Sequence, residues 1–228
     1  LGHATSGRFS LQHNGRDLPT SLPPLSSTID TRAGDFDALS PDYSIGFPPD
    51  VISKIASAQI QQGVSGGVGS SLTNEQKRTL HMQGVCQQRD DGLLEVTVEL
   101  FSPLGSRFRF LVEAGEGQKI ARAPSPSMYL SAGIAFCFLT QMGRYAHIMR
   151  KPLGYYSIVQ DSAFGLPGAS SAAGVAPAVA PLETAVCIDS NFGDDHANMV
   201  LRMSEQTCFL HAACRQQVSV RLKMPGHF

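Results

Sequence analysis

The chain has 228 residues, 42% of them hydrophobic and 16% charged, which is enough apolar material for one large domain or a medium domain with an extension. Lys+Arg 18 against Asp+Glu 19 leaves a net charge of -1, so no basic field exists to hold a nucleic-acid backbone or an anionic membrane, and both are excluded as partners. No apolar run has the length a bilayer crossing needs, and five cysteines, an odd number in a chain too large to depend on disulfide staples, point to reduced thiols and a cytoplasmic location.

Residues 1–75 are rich in Ser, Gly and Pro, as in "LPTSLPPLSSTID", "IGFPPD" and "GVSGGVGSS", and read as an extension wrapped on a domain or a partner subunit. The chain starts at Leu1 without a methionine, which is compatible with a start inside a longer gene product. Within the extension only "PPDVISKIASAQIQQG" has a helical pattern. Asp50 serves as N-cap, Val51, Ile52, Ile55, Ala58 and Ile60 form an imperfect apolar stripe, and Gly63 ends it.

The character changes at Leu80. "LHMQGVCQQ", "DDG" and "LLEVTVELF" read as strand, turn, strand, with Leu94, Val96, Val98 and Leu100 alternating, and "RFRFLVEAG" is a third strand. "SPSMYLSAGIAFCFLTQMGRYAHIMRK" predicts a long helix buried on most of its surface, capped by Ser125 or Ser127 and stopped by Pro152. "YYSIVQDSAF" and "LETAVCIDS" are two strands separated by "GLPGASSAAGVAPAVAP", a small-residue linker expected to be mobile. "DDHANMVLRMSEQTCFLHAACR" is a second helix, with Asp194 and Asp195 suiting its N-terminus, and "QQVSVRLKM" a closing strand. Three strands, helix, two strands, helix, strand is the order of an α+β domain over 76–228, with helices against an antiparallel-rich sheet.

Two helical cysteines are the candidates for chemistry. The only polar face of the long helix carries Cys137 together with Thr140, Gln141 and Arg144, at helical offsets of 3, 4 and 7. A thiol in an apolar helix is readily explained as core packing, and thiolate character needs a nearby cation, base or donor. On the second helix His211 follows Cys208 by three residues and shares its face, within reach of the sulfur or of a bound substrate, while Cys214 lies where the helix is ending. Cys86 and Cys187 sit in strand patterns and read as buried side chains. His3, His13, His147, His196 and His227 show no partner pattern, His196 being read as decoration of a helix start.

The run "PSPSMYLSAGIAFCF" resembles the first-cysteine segment of the OsmC and Ohr family, the osmotically inducible and organic hydroperoxide resistance proteins, in which a proline-led segment opens the long central helix. "SEQTCFLHAACRQQVSVRL" is similar to that family's second-cysteine segment, where His or Ser often follows the cysteine by three residues before the last strand. The resemblance covers residues 76–228 and implies an OsmC-like fold, with antiparallel-rich sheets on a buried central helix in an intertwined homodimer. It implies a thiol peroxidase without bound cofactor or metal: Cys137 as thiolate attacks the O–O bond of a hydroperoxide, Cys208 condenses with the sulfenic acid to a disulfide, and an external dithiol reductant reopens it. The apolar helix around the thiol favours bulky organic hydroperoxides.

One departure stands out. Peroxidase members commonly place a glutamate directly after the proline, to orient an arginine that lowers the thiol pKa, and here Ser127 follows Pro126. Arg109 in "RFRF" is favoured as that arginine over Arg89 and Arg122, against the plain reading of all three as solvated charges. Two other chemistries stay open: attack of Cys137 on a carbon or sulfur electrophile with His211 as acid or base, and a thiophilic metal held by Cys137, Cys208 and His211, which lacks a fourth ligand.

Overall fold

The computed structural model describes residues 8–20, 50–58, 81–102, 105–113, 122–165 and 178–215. In chain order their elements are β1 (Arg8–His13), β2 (Arg16–Leu18), β3 (Ile52–Ala56), β4 (His81–Gln88), β5 (Leu94–Ser102), β6 (Arg107–Val112), α1 (Pro126–Met149), β7 (Tyr156–Asp161), β8 (Phe164–Gly165), β9 (Ala178–Val179), β10 (Glu183–Ile188), α2 (Asp194–Thr207) and α3 (Phe209–Arg215). The fold is α+β and antiparallel-rich. The chain divides into two compact units, Leu1–Ser40 with Leu130–Phe228 and Pro41–Tyr129.

The first unit is built on a sheet of order β2-β1-β10-β7. Phe9, Leu11 and His13 alternate inward along β1, and every residue of β10 is buried, so these two strands form the centre of the sheet. They pair in parallel, Leu11 beside Val186, while β7 joins β10 and β2 joins β1 antiparallel. Between β1 and β2 the turn is Asn14-Gly15, with φ of 48° and 74°, the left-handed pair that a two-residue hairpin demands. Phe9, Leu11, Val186 and Ile188 from the sheet meet Phe138 and Met142 of α1 and Ala197, Val200 and Leu201 of α2 in one core. Part of the N-terminal stretch is thus a strand of the unit that carries both helical cysteines.

Pro126 opens α1 at its first position, where its missing N–H costs nothing, and Ser125 Oγ accepts the Met128 N–H at 3.4 Å. At the other end Arg150 takes a left-handed φ of 55° and Lys151 N–H returns to the Ala146 carbonyl at 3.1 Å, just before Pro152. The expectation of burial on most of the surface is corrected. Ile134, Phe138, Gln141, Met142 and Ala146 make one buried stripe, while Leu130 and Met149 are exposed and Phe136 is 68% exposed. Packed on one side, the helix leaves apolar Leu130, Phe136 and Met149 exposed. None of the described helices is long and apolar enough to cross a membrane.

The second unit holds a sheet of order β3-β6-β5-β4, with Val96 opposite Phe110 and Cys86. Residues 52–56, expected to be helical, are strand β3, pairing Ile52 with Phe110 and Ser53 with Arg109. β-branched Val51, Ile52 and Ile55 satisfy either period over so short a run, and an open edge of β6 decides for the strand. Cys86 is exposed rather than buried, because no residue of β4 is covered on either face. The core of this unit is small: Leu93, Leu111 and Ala123, with Val51 against them. Most of the small-residue linker (166–177) and all of the expected closing strand (216–228) lie outside the described residues.

Candidate active site

The second helix does not run through. At Cys208 the backbone turns extended, φ -77° and ψ 109°, separating α2 from α3, so that Cys208 sits at a break rather than on a helix face. A new helix leaves its first N–H groups without intrahelical acceptors, and those of Phe209 and Leu210 lie near enough to the Cys137 sulfur of α1 to favour its anion. The Cys208 thiol donates to the same sulfur. These donors fix the protonation order of the pair. Cys137 is drawn down to about 6, chiefly by the Cys208 hydrogen bond, with burial opposing and the Leu210 and Phe209 N–H groups assisting. Cys208, 1% exposed, is pushed up, because its proton is held by Cys137 and burial penalises its charge. In the reduced site Cys137 is thus drawn toward the thiolate and Cys208 toward the thiol.

His211 lies beneath them, 2% exposed, with Phe9 and Phe138 at centroid distances of 5.7 and 5.1 Å. Burial, helped by the charge of Arg215, lowers it to about 4, so the ring is neutral at physiological pH. Its Nδ1 is 3.1 Å from Cys208 Sγ and its Nε2 is 3.2 Å from Thr184 Oγ1. Thr184 in turn donates to Gln160 Oε1 at 2.8 Å, and Gln160 Nε2 donates to the carbonyls of Glu183 and Asp161 at 3.1 and 3.2 Å. Thr184 and Gln160 face each other across β10 and β7. Sequence reasoning missed both, although a threonine inside the otherwise apolar "TAVCI" run was a signal that a buried polar group needs a partner.

Of the sequence candidates, the structure brings Cys137, Cys208 and His211 together. Arg109 belongs to the other unit, where its Nε donates to Ser53 Oγ at 3.1 Å and its guanidinium is 3.7 Å from Asp50 and 4.0 Å from Glu95. Arg89 pairs with Asp91 and Glu95, and Arg122 with Glu113, in the same unit. No arginine is among the causes that lower Cys137. Ser127, at the glutamate position, shares a 2.9 Å hydrogen bond with Ser125. Cys187 is buried and its thiol pushed up by burial and by Asp189; Cys214 is likewise raised by burial. Among the described residues no group of three or more His, Cys, Asp and Glu is arranged to hold a metal.

Two histidines without a sequence pattern are structural. His196 is buried rather than decorative, edge-on to Phe192 at 5.3 Å and stacked on Tyr145. His13 bonds Asp194 through Nδ1 at 2.7 Å and Ser190 through Nε2 at 3.1 Å, the atom pattern of a hydrolase triad. Ser190 Oγ, however, also accepts the Phe192 N–H and lies against the Phe192 carbonyl, both at 3.3 Å. Its hydroxyl thus accepts from the turn between β10 and α2 and donates back to it, and the trio ties that turn to β1.

No protein-family model matches the chain, and its sequence matches no curated protein. Among solved structures it is similar to an OsmC-like protein from Mycoplasma pneumoniae, at 12% identity and a TM-score of 0.46 over 60% of this chain and 88% of that one. It is also similar to an organic hydroperoxide resistance protein OsmC from Legionella pneumophila, at 14% identity and TM-score 0.41 over 62% and 92%. A third is an organic hydroperoxide resistance protein from Elizabethkingia anophelis, at 15% identity and TM-score 0.41 over 62% and 91%.

Proposed function

We propose that this protein is a thiol-dependent peroxide reductase of the OsmC-like kind, acting on organic hydroperoxides. The observation that carries the reading is that two cysteines far apart in sequence meet in one core, Cys208 at the break between α2 and α3, with Cys137 drawn toward the thiolate and Cys208 toward the thiol. Such a pair has the two properties the reaction needs. The Cys137 thiolate attacks one peroxide oxygen, the O–O bond breaks, and the alkoxide leaves with a proton as alcohol, so that the sulfur is oxidised to sulfenic acid. Cys208 then attacks the Cys137 sulfur and water leaves, giving the Cys137–Cys208 disulfide, which an external dithiol reduces through a mixed disulfide.

The apolar run of α1 around Cys137, with exposed Phe136 next to it in sequence, suits a bulky apolar substituent better than hydrogen peroxide. A homodimer belongs to the proposal, because exposed Leu130, Phe136 and Met149 on α1 give a second copy an apolar face to cover. A reducing compartment, the cytoplasm, keeps the five cysteines as thiols between turnovers.

The test is intact mass and peptide mapping after one equivalent of an organic hydroperoxide. Wild type should lose two hydrogens in a Cys137–Cys208 disulfide, and Cys208→Ser should stop with one added oxygen on Cys137. A Cys137 that stays unoxidised in both proteins removes peroxides as substrates and turns the search to carbon or sulfur electrophiles.

A further inference from the structure

Cys208 has one proton and two acceptors: the Cys137 thiolate and Nδ1 of His211. Which nitrogen of His211 carries its own proton follows from the hydrogen bonds beneath it. Gln160 spends its amide N–H groups on two carbonyls, so its Oε1 is what faces Thr184. The Thr184 hydroxyl must then donate to Gln160, and only a lone pair is left for His211. Nε2 therefore bears the hydrogen, and Nδ1 points a lone pair at the Cys208 thiol.

We infer that His211 is the base that takes the Cys208 proton when Cys208 attacks oxidised Cys137, and that Thr184 and Gln160 position it by fixing its tautomer. The inference rests on the reading of Cys137 as a redox centre. While Cys137 is a thiolate it holds the Cys208 S–H, and Cys208 stays a thiol. Oxidation of Cys137 removes that negative charge, and the same S–H turns to His211. Proton, electrons and leaving group balance: Nδ1 takes the proton, the Cys208 sulfur supplies the electron pair of the new S–S bond, and the group on Cys137 leaves with the pair that bound it. When that group is hydroxide, it recovers the proton from His211 and departs as water.

The order of events explains why the pair can be coupled without short-circuit. A base strong enough to ionise Cys208 in the reduced site would place two thiolates side by side, which like-charge repulsion forbids. A weak, buried, neutral base works only after Cys137 has been neutralised. The titratable and charged groups that act on the ring are Cys208 and Arg215, with Cys137 beyond Cys208, and Arg215 is paired with Glu205.

The experiment uses 5,5′-dithiobis(2-nitrobenzoate) in a Cys86→Ser, Cys214→Ser background, which leaves buried Cys187 beside the pair. Cys137 releases one thionitrobenzoate and keeps the other as a mixed disulfide; attack by Cys208 releases the second, so absorbance rises in two phases without any peroxide. His211→Asn offers an oxygen acceptor near Nδ1 that does not take up a proton. It should slow the second phase on the order of a hundredfold at pH 7, read as the ratio to the first phase of the same protein. Its second phase should rise about tenfold per pH unit as hydroxide replaces the lost base, whereas the wild-type phase stays flat from pH 6 to 8. Thr184→Val should slow the second phase on the order of tenfold, and Thr184→Ser should restore it. A second phase in His211→Asn at the wild-type rate overturns the base, and equal behaviour of Thr184→Val and Thr184→Ser overturns the positioning, a comparison that stands even where His211→Asn does not fold. Failure of hydroperoxide to oxidise Cys137, with the two phases responding as stated, defeats the peroxidase reading and leaves His211 as the base.

Discussion

The thiolate of Cys137 is the property on which all the chemistry depends, and its first support is a single hydrogen bond from Cys208. Cys208→Ala removes it, and Cys208→Ser keeps a donor at the same place. At pH 7 a thiol at about 6 is roughly nine-tenths ionised, whereas one at the ordinary value near 8.5 is roughly 3% ionised, about a thirtyfold difference in the reactive form. The N–H groups of Phe209 and Leu210 remain in the alanine variant, so the loss should fall on the order of ten- to thirtyfold. Iodoacetamide alkylation of Cys137, read by peptide mass from pH 4.5 to 9.5, reports the ionised fraction directly. Wild type and Cys208→Ser should both inflect near 6, and Cys208→Ala well above it, with the three rates converging at the alkaline end. An inflection near 6 in the alanine variant would refute the idea that the second thiol holds the first as an anion.

Three further outcomes follow from the same structure. Phe138→Ala empties a fully buried site shared by α1, β1 and α3, and should cost about 3–5 kcal/mol in urea denaturation while leaving the second unit's sheet signals unchanged. Gly15→Val forces a β-branched residue to a φ of 74° and should destabilise the first unit by about 1 kcal/mol or more; a neutral result would mean the hairpin turn is dispensable. The Asp194 carboxyl is held below the usual carboxylate range by His13 first and Arg16 second. A lowered folded value contributes stability that is complete above about pH 4 and disappears as pH falls through it, so Asp194→Asn should flatten the acid limb of the stability profile. Identical slopes below pH 4 in variant and wild type would disprove that linkage.

Several elements after residue 76 were readable because their signals are strong and local. Alternation in "LLEVTVELF", Ser125 and Pro126 before α1 and Pro152 after it each determine an element with little help from the rest of the chain. The two cysteine segments were singled out by the family resemblance of their runs, because a thiol in an apolar helix and a lone Cys-x-x-His are weak signals by themselves. The site's lower half was not legible, since Thr184 and Gln160 reach His211 only through strand register, a property of pairing between β7 and β10 that no local pattern encodes. The break at Cys208 was hidden because "TCFLHAAC" keeps helical composition on both sides of it. Asn14-Gly15 was a hairpin signal in plain view, obscured by the Ser, Gly and Pro content of the residues after it. In β3 the short β-branched run carried both periods, and an available partner edge settled the choice.

The parallel pairing of β1 with β10 joins residues 175 positions apart. During synthesis at about 5–20 residues per second, the β1–β2 hairpin emerges roughly ten to thirty-five seconds before its other neighbour. Through that interval Phe9 and Leu11 have no sheet to enter, and one edge of β1 offers a row of unpaired amides to any strand nearby. Non-local closure of this kind is slow even for the finished chain. Until β10 has emerged, the competing closure is β1 of one nascent chain on β10 of a more complete neighbour, and crowding on a polysome favours it.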